Sequence, residues 1–161
     1  MRVWRIATQA PDYAADDLSG AGAKITGGRW NQRGVPVLYC SDTPSLACLE
    51  TLVHLDVGGL PLYRFLVAID IPEKVWKVRT IATVQSLESG WDAFLAENAS
   101  VDFGSQWAMS NKSAVLVVPS AIVPEDSVIL LNPKHSDISR ITATKVRRWT
   151  YDARLVKPVA S

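Results

Sequence analysis

Apolar residues along the 161-residue chain gather in short dense runs, separated by Gly, Pro and charged positions. Residues 3–7, VWRIA, predict a short strand, and 35–40, VPVLYC, apolar with β-branched and aromatic members, predict a buried one. Between them, 11–23 reads as a polar loop with room for one helical turn. A helix follows the second strand, with Thr43 as N-cap and Pro44 at the first helical position, where its missing N–H costs nothing. It runs through SLACLETLVHL towards Gly58-Gly59. LYRFLVAIDI, 62–71, alternates as a strand ending at Pro72. Residues 87–110 predict helix, broken near Asp102-Phe103-Gly104. SAVLVVPS (113–120) and SVILLNP (127–133) predict two further buried strands, and KVRRWTYDARLV (145–156) a last one. Strands and helices mix without a regular βαβ alternation, so the predicted class is α+β, a single domain over 1–161 with mixed or antiparallel sheets and flanking helices.

At about 100° per residue from Leu46, Leu49, Leu52 and Val53 form one apolar arc on the first long helix, and Glu50 falls near its border. A carboxylate there is either a surface Glu with its stem on the core edge and its head in water, or one held by a partner inside a site. Context favours the site. Tyr39 ends the strand upstream and Arg29 precedes that strand, so three polar side chains stand at the ends of successive elements, where sites are commonly built.

Arg29 belongs to GGRWNQRG, 27–34. A surface ion pair is the plain reading of an arbitrary Arg. Gly27 and Gly28 argue for a closer role, because glycine serves where backbone must approach a ligand or take positive φ. A guanidinium presented there can grip phosphate bidentately, with Trp30 anchoring the loop in the core. The stretch is neither a Walker loop nor GxGxxG.

Charge narrows the partners. With 17 Lys and Arg against 16 Asp and Glu, the formal charge is +1, which supplies no field to hold a polyanion. No direct nucleic-acid binding is expected. The 2 cysteines, Cys40 and Cys48, and 2 histidines, His54 and His135, show no metal-ligand spacing, so no metal is expected. Neither an apolar leader nor a span of about 20 apolar residues is visible, so the expectation is a cytoplasmic protein with no membrane partner. Ser120 and Asn132 each end an apolar strand. Ser120 lacks a GxSxG elbow and reads as a turn or cap hydroxyl rather than an acyl-transfer nucleophile. His54, four residues after Glu50, can reach the same region, though a lone His on a helix is more often structural.

These stretches together, GGRWN with Arg29, VLYCSDTPSLACLETLVHL with Tyr39 and Glu50, VPSAIVP with Ser120 and LLNPKH, resemble the RES domain, the toxin half of bacterial RES–Xre toxin–antitoxin systems. The opening VWRI and closing YDARLV extend the resemblance over nearly the whole chain, while 81–112 carries little of it. The family's name takes its letters from an Arg, a Glu and a Ser, matched in order by Arg29, Glu50 and Ser120. The resemblance implies a fold similar to ADP-ribosyltransferase toxins and destruction of NAD, as substrate rather than cofactor, by hydrolysis or phosphorolysis of the nicotinamide–ribose bond. It also implies a cognate Xre-type antitoxin as partner. On this reading Glu50 steadies the oxocarbenium-like ribose, Arg29 holds the diphosphate or pairs with Glu50, Tyr39 packs on nicotinamide or orients the ribose, and Ser120 positions substrate or Glu50. Arg5 is a second phosphate contact, with Trp30, Asn132 and His54 completing the candidate substrate-binding set. A transferase that attaches ADP-ribose to a protein or nucleotide acceptor is the alternative activity, and a non-catalytic binding module the other class.

Overall fold

The computed structural model describes residues 1–54, 62–94 and 98–155. Within them the strands β1 (Arg2–Thr8), β2 (Leu38–Ser41), β3 (Arg64–Asp70), β4 (Thr80–Ile81), β5 (Val115–Pro119), β6 (Ser127–Leu131) and β7 (Thr142–Trp149) form one sheet, in the order β4-β5-β6-β2-β1-β3-β7. Every neighbouring pair is antiparallel except β4 beside β5, so the sheet is mixed. Among the described residues four α-helices accompany it: α1 (Ala21–Thr26), α2 (Pro44–Leu52), α3 (Glu73–Lys77) and α4 (Asn98–Ser110). The class is α+β, as the irregular order of predicted elements implies. No described helix is long and apolar enough to cross a membrane.

The continuous apolar runs are explained by burial on both faces. In β6, Ile129 and Leu131 join one core cluster with Val3, Leu38, Val67 and Ile69, while Val128 and Leu130 face the opposite cluster with Trp30, Val37, Trp91 and Trp107. Period-2 alternation therefore sends apolar side chains both ways, and the sequence shows no polar face. A third cluster, Ile6, Ala47, Leu66 and Tyr151, fixes α2 against β1 and β3.

Boundaries shift where tertiary contacts override local pattern. Thr43 caps α2 as predicted, its side chain accepting from the Leu46 N–H at 3.1 Å with Pro44 at the first position. The helix nevertheless stops at Leu52, and Val53, placed by periodicity on the apolar arc, is its exposed C-cap. The predicted end at Gly58-Gly59 lies outside the described residues. Asp102-Phe103-Gly104 does not break α4, which runs through it. Gly104 is there for closeness: a Cβ on it would stand 2.1 Å from the Trp30 carbonyl oxygen. The final strand occupies 142–149 rather than 145–156. After Trp149 the chain leaves the edge, because Tyr151 turns into the third cluster and bonds Thr51 at 2.7 Å between hydroxyls. As an edge strand, β7 is largely exposed, which is why its periodicity is weak. The short α3 and β4 have no counterpart in the predicted elements.

Beside the site lies a seam. β1 is registered with β3 over seven pairs, from Arg2 against Asp70 to Thr8 against Arg64, but with β2 at the single pair Trp4 against Ser41. Beyond that pair the two central strands part.

Candidate active site

A cleft of about 680 Å³ opens where β1 and β2 separate. Trp4, Arg5 and Ile6 line it from β1, and Tyr39, Cys40 and Ser41 from β2. α2 contributes Ala47, Glu50 and Thr51, and the 27–30 loop brings Gly27, Gly28, Arg29 and Trp30. Among the described lining residues Glu50 is the one carboxylate, facing three guanidinium groups, Arg5, Arg29 and Arg64. Such an excess of positive charge suits an anionic ligand with one centre that turns cationic next to the acid.

Glu50 is held from behind. The Ser120 hydroxyl donates to its Oε1 at 2.7 Å, the short distance of a charge-assisted bond. Ser120 is fully buried in the turn after β5, and its oxygen also accepts from the Ile122 and Val123 N–H groups at 3.1 Å each. One side chain thus bonds both the turn and Glu50. It reaches the cleft through Glu50 and does not line it.

Arg29 lines the cleft but makes no ion pair with Glu50 in the structure. Its Nη1 donates instead to the carbonyls of Trp91 at 3.1 Å and Ala93 at 2.9 Å. The guanidinium thus ties the 91–93 segment to the site wall. The Arg29–Glu50 pairing, one of the two roles expected for Arg29, is absent, and Nη1 is held by these carbonyls instead.

Tyr39 holds the loop. Its hydroxyl accepts from the Trp30 N–H at 2.9 Å and donates to Asn31 Oδ1 at 2.6 Å. Burial pushes the phenol well above its usual range, offset in part by the Trp30 N–H and the Arg29 charge, so it remains a proton donor. The buried Asn31 amide continues the network, donating to the carbonyls of Ala23 at 2.8 Å and Val35 at 2.9 Å. Here the two glycines find their physical reason. Gly27 takes φ 71° at the end of α1, and a Cβ on Gly28 would stand 2.7 Å from the Tyr39 oxygen. The missing side chain of Gly28 lets the loop approach Tyr39, and both glycines line the cleft.

Trp30 is buried at the cleft wall, stacked on Trp91 at 6.1 Å between ring centroids and met edge-on by Phe103 at 6.2 Å. His54 is exposed at the mouth, just past α2. Asn132 is placed elsewhere: it is fully buried, and its amide donates to the Ala108 carbonyl at 2.9 Å while its oxygen accepts from the Lys134 N–H. It fastens α4 to the end of β6 and does not meet the cleft. Sequence reasoning misses Asn31, Thr51 and Arg64. Asn31 stands within GGRWNQRG, next to Trp30, and its place there is the signal that could have found it. Arg64 carries no local signal, since only the pairing of β3 with β1 brings it to the cleft.

Known proteins share this pattern along nearly the whole chain. A family model described as the RES domain matches residues 2–153. The chain belongs to the RES-domain family. A relative from Sphingobium sp. (strain YBL2), named "Prs ADP-ribosylating toxin", is 56% identical over 154 residues, covering 96% of each chain. "Toxin Res" of Photorhabdus laumondii is 40% identical over 146 residues, covering 90% of this chain and 92% of that one. Among solved structures, a chain of the M. tuberculosis MbcT–MbcA toxin–antitoxin complex superposes with a TM-score of 0.62 at 16% identity, covering 90% of this RES domain and 83% of that chain. The fold is thus shared with a component of that complex, and both relatives carry toxin names.

Proposed function

We propose that this RES domain cleaves the nicotinamide–ribose bond of NAD and passes the ADP-ribosyl group to an acceptor. The observation that carries the reading is the Ser120–Glu50 bond at the wall of an arginine-lined cleft. Leaving of neutral nicotinamide develops oxocarbenium character on the ribose, and a fixed carboxylate stabilises that charge without having to reorganise. The Ser120 hydroxyl keeps the Glu50 head in place, and the arginines match the diphosphate. A volume near 680 Å³ is in the range of pockets that enclose cofactor-sized ligands.

For the acceptor we favour a protein, so that the reaction is ADP-ribosylation. The support is the name of the relative that is 56% identical over nearly the full length. Water or inorganic phosphate as the attacking group is the second reading, and the bond broken is the same. The solved neighbour was determined as a toxin–antitoxin complex, which supports an antitoxin as the partner here too; an Xre-type protein that blocks the cleft is the form we propose. Incubation with NAD alone, then with NAD and a cell lysate, tests the reading. Nicotinamide release that accelerates on adding lysate, with ADP-ribose appearing on a protein, supports transfer. Free ADP-ribose from NAD alone at the full rate supports hydrolysis. Glu50→Gln should lower the rate by about 10²–10³-fold and abolish growth arrest on expression; a folded Glu50→Gln protein of wild-type rate would refute the mechanism.

A further inference from the structure

We infer that Arg64 and Arg5 form a built anion subsite at the β1–β3 side of the cleft, and that this pair, rather than Arg29, grips the diphosphate of the dinucleotide. The inference rests on the reading of the cleft as an NAD site and assigns a residue, Arg64, to it.

Three observations lead there. First, the two arginines border both the main cleft and an adjoining pocket of about 300 Å³ lined by Ala7, Thr8, Tyr13 and Ile25, so they stand where the two spaces meet. Among the described residues no carboxylate lines that second pocket. Secondly, each leaves a buried nitrogen without an acceptor, Nη1 in Arg5 and Nε in Arg64. Among the described residues neither makes an ion pair, and Arg5 has one side-chain bond, from Nη2 to the Tyr13 oxygen at 3.2 Å. Buried guanidinium donors without partners are costly, and phosphate oxygens are acceptors that can satisfy them. Thirdly, Arg29 is differently placed: its Nη1 already donates to the Trp91 and Ala93 carbonyls. Three guanidinium charges against the single Glu50 carboxylate leave an excess of two, the charge of a diphosphate bridge.

Calorimetry with inorganic diphosphate, together with steady-state kinetics on NAD, tests the subsite in wild type, Arg64→Gln and Arg64→Lys. Diphosphate should bind wild type and bind Arg64→Gln about ten- to a hundredfold more weakly. The KM for NAD should rise by a similar factor while kcat changes less than about threefold, and Arg64→Lys should recover part of the loss. Absence of diphosphate binding by wild type, or equal binding and equal KM in Arg64→Gln, overturns the subsite. Should wild type fail to consume NAD while diphosphate binding still follows Arg64, the subsite stands and the enzymatic reading falls. Normal NAD consumption with a KM indifferent to both Arg64 variants overturns the subsite and leaves the enzymatic reading in place.

Discussion

Replacing Ser120 with Ala removes one oxygen that serves two masters. Towards the cleft it deletes the 2.7 Å donation to Glu50, a bond to a charged group worth about 1.5–3 kcal/mol. Towards the turn it strands the Ile122 and Val123 N–H groups, both bonded at 3.1 Å to the same atom. Part-buried donors left unmade cost about 1–3 kcal/mol, so the summed loss of stability should be roughly 2.5–6 kcal/mol. A domain of this size loses about 2–4 °C of melting temperature per kcal/mol, so the fall should be about 5–24 °C. The kinetic effect should be separable. Ser120 touches no ligand, being fully buried behind Glu50, so KM should hold while kcat for nicotinamide release drops about ten- to a hundredfold. The assay is nicotinamide quantified by chromatography at a temperature where melting curves show the variant folded. A folded Ser120→Ala protein with wild-type kcat would refute the idea that this hydroxyl positions the carboxylate. A variant whose KM rises with kcat unchanged would refute it equally, pointing to direct substrate contact.

Further outcomes follow from the same geometry. Gly28→Ala drives a Cβ to 2.7 Å from the Tyr39 oxygen, so it should destabilise by about 1–3 kcal/mol and slow NAD turnover together; a variant as stable as wild type in urea would show that the loop yields freely. Asn132→Ala loses the bonds to Ala108 and Lys134, and should lower the urea midpoint while leaving kcat/KM per folded molecule unchanged; a selective loss of NAD turnover would return Asn132 to the site. Burial pushes the Cys40 thiol up to about 12, above an unfolded value near 8.5. A raised folded value means stability is intact below pH 8.5 and declines as pH climbs towards 12, because the unfolded thiol ionises first. Cys40→Ala should therefore be less stable at neutral pH but flatter between pH 8.5 and 10 in chemical denaturation, and an unchanged slope would disprove the assignment.

Much of this molecule is legible in its sequence, and what is not has physical causes. Strands β5 and β6 announce themselves through unbroken apolar runs, and the Thr43-Pro44 start of α2 through capping chemistry. Glu50, Arg29 and Tyr39 stand out because they sit at element ends, and all three line one cleft. Ser120 stands at a strand end as well, and its link to Glu50 spans 70 residues, a separation that local pattern cannot express. Asn132 misleads for the same reason that Ser120 does not: both end buried strands, and only the packing of α4 over β6 distinguishes a fastening amide from a working hydroxyl. Gly104 looks like a helix break because closeness to Trp30 is invisible along the chain. Arg64 gives no sign of itself, since its relation to Arg5 exists only across the β1–β3 pairing.

The lone rung between Trp4 and Ser41 has a mechanical meaning for ligand binding. One half of the sheet carries β4, β5, β6 and β2, the other β1, β3 and β7; one registered β1–β2 pair joins their ladders, and the core cluster holding Val3, Leu38 and Ile129 packs across both. Any molecule that lies along the opening bridges the halves, touching Arg5 on one bank and Tyr39 on the other. Occupancy should then brace the protein as a whole, slowing amide exchange in both banks at once, and an inhibitor protein seated there would gain its grip from the same bracing.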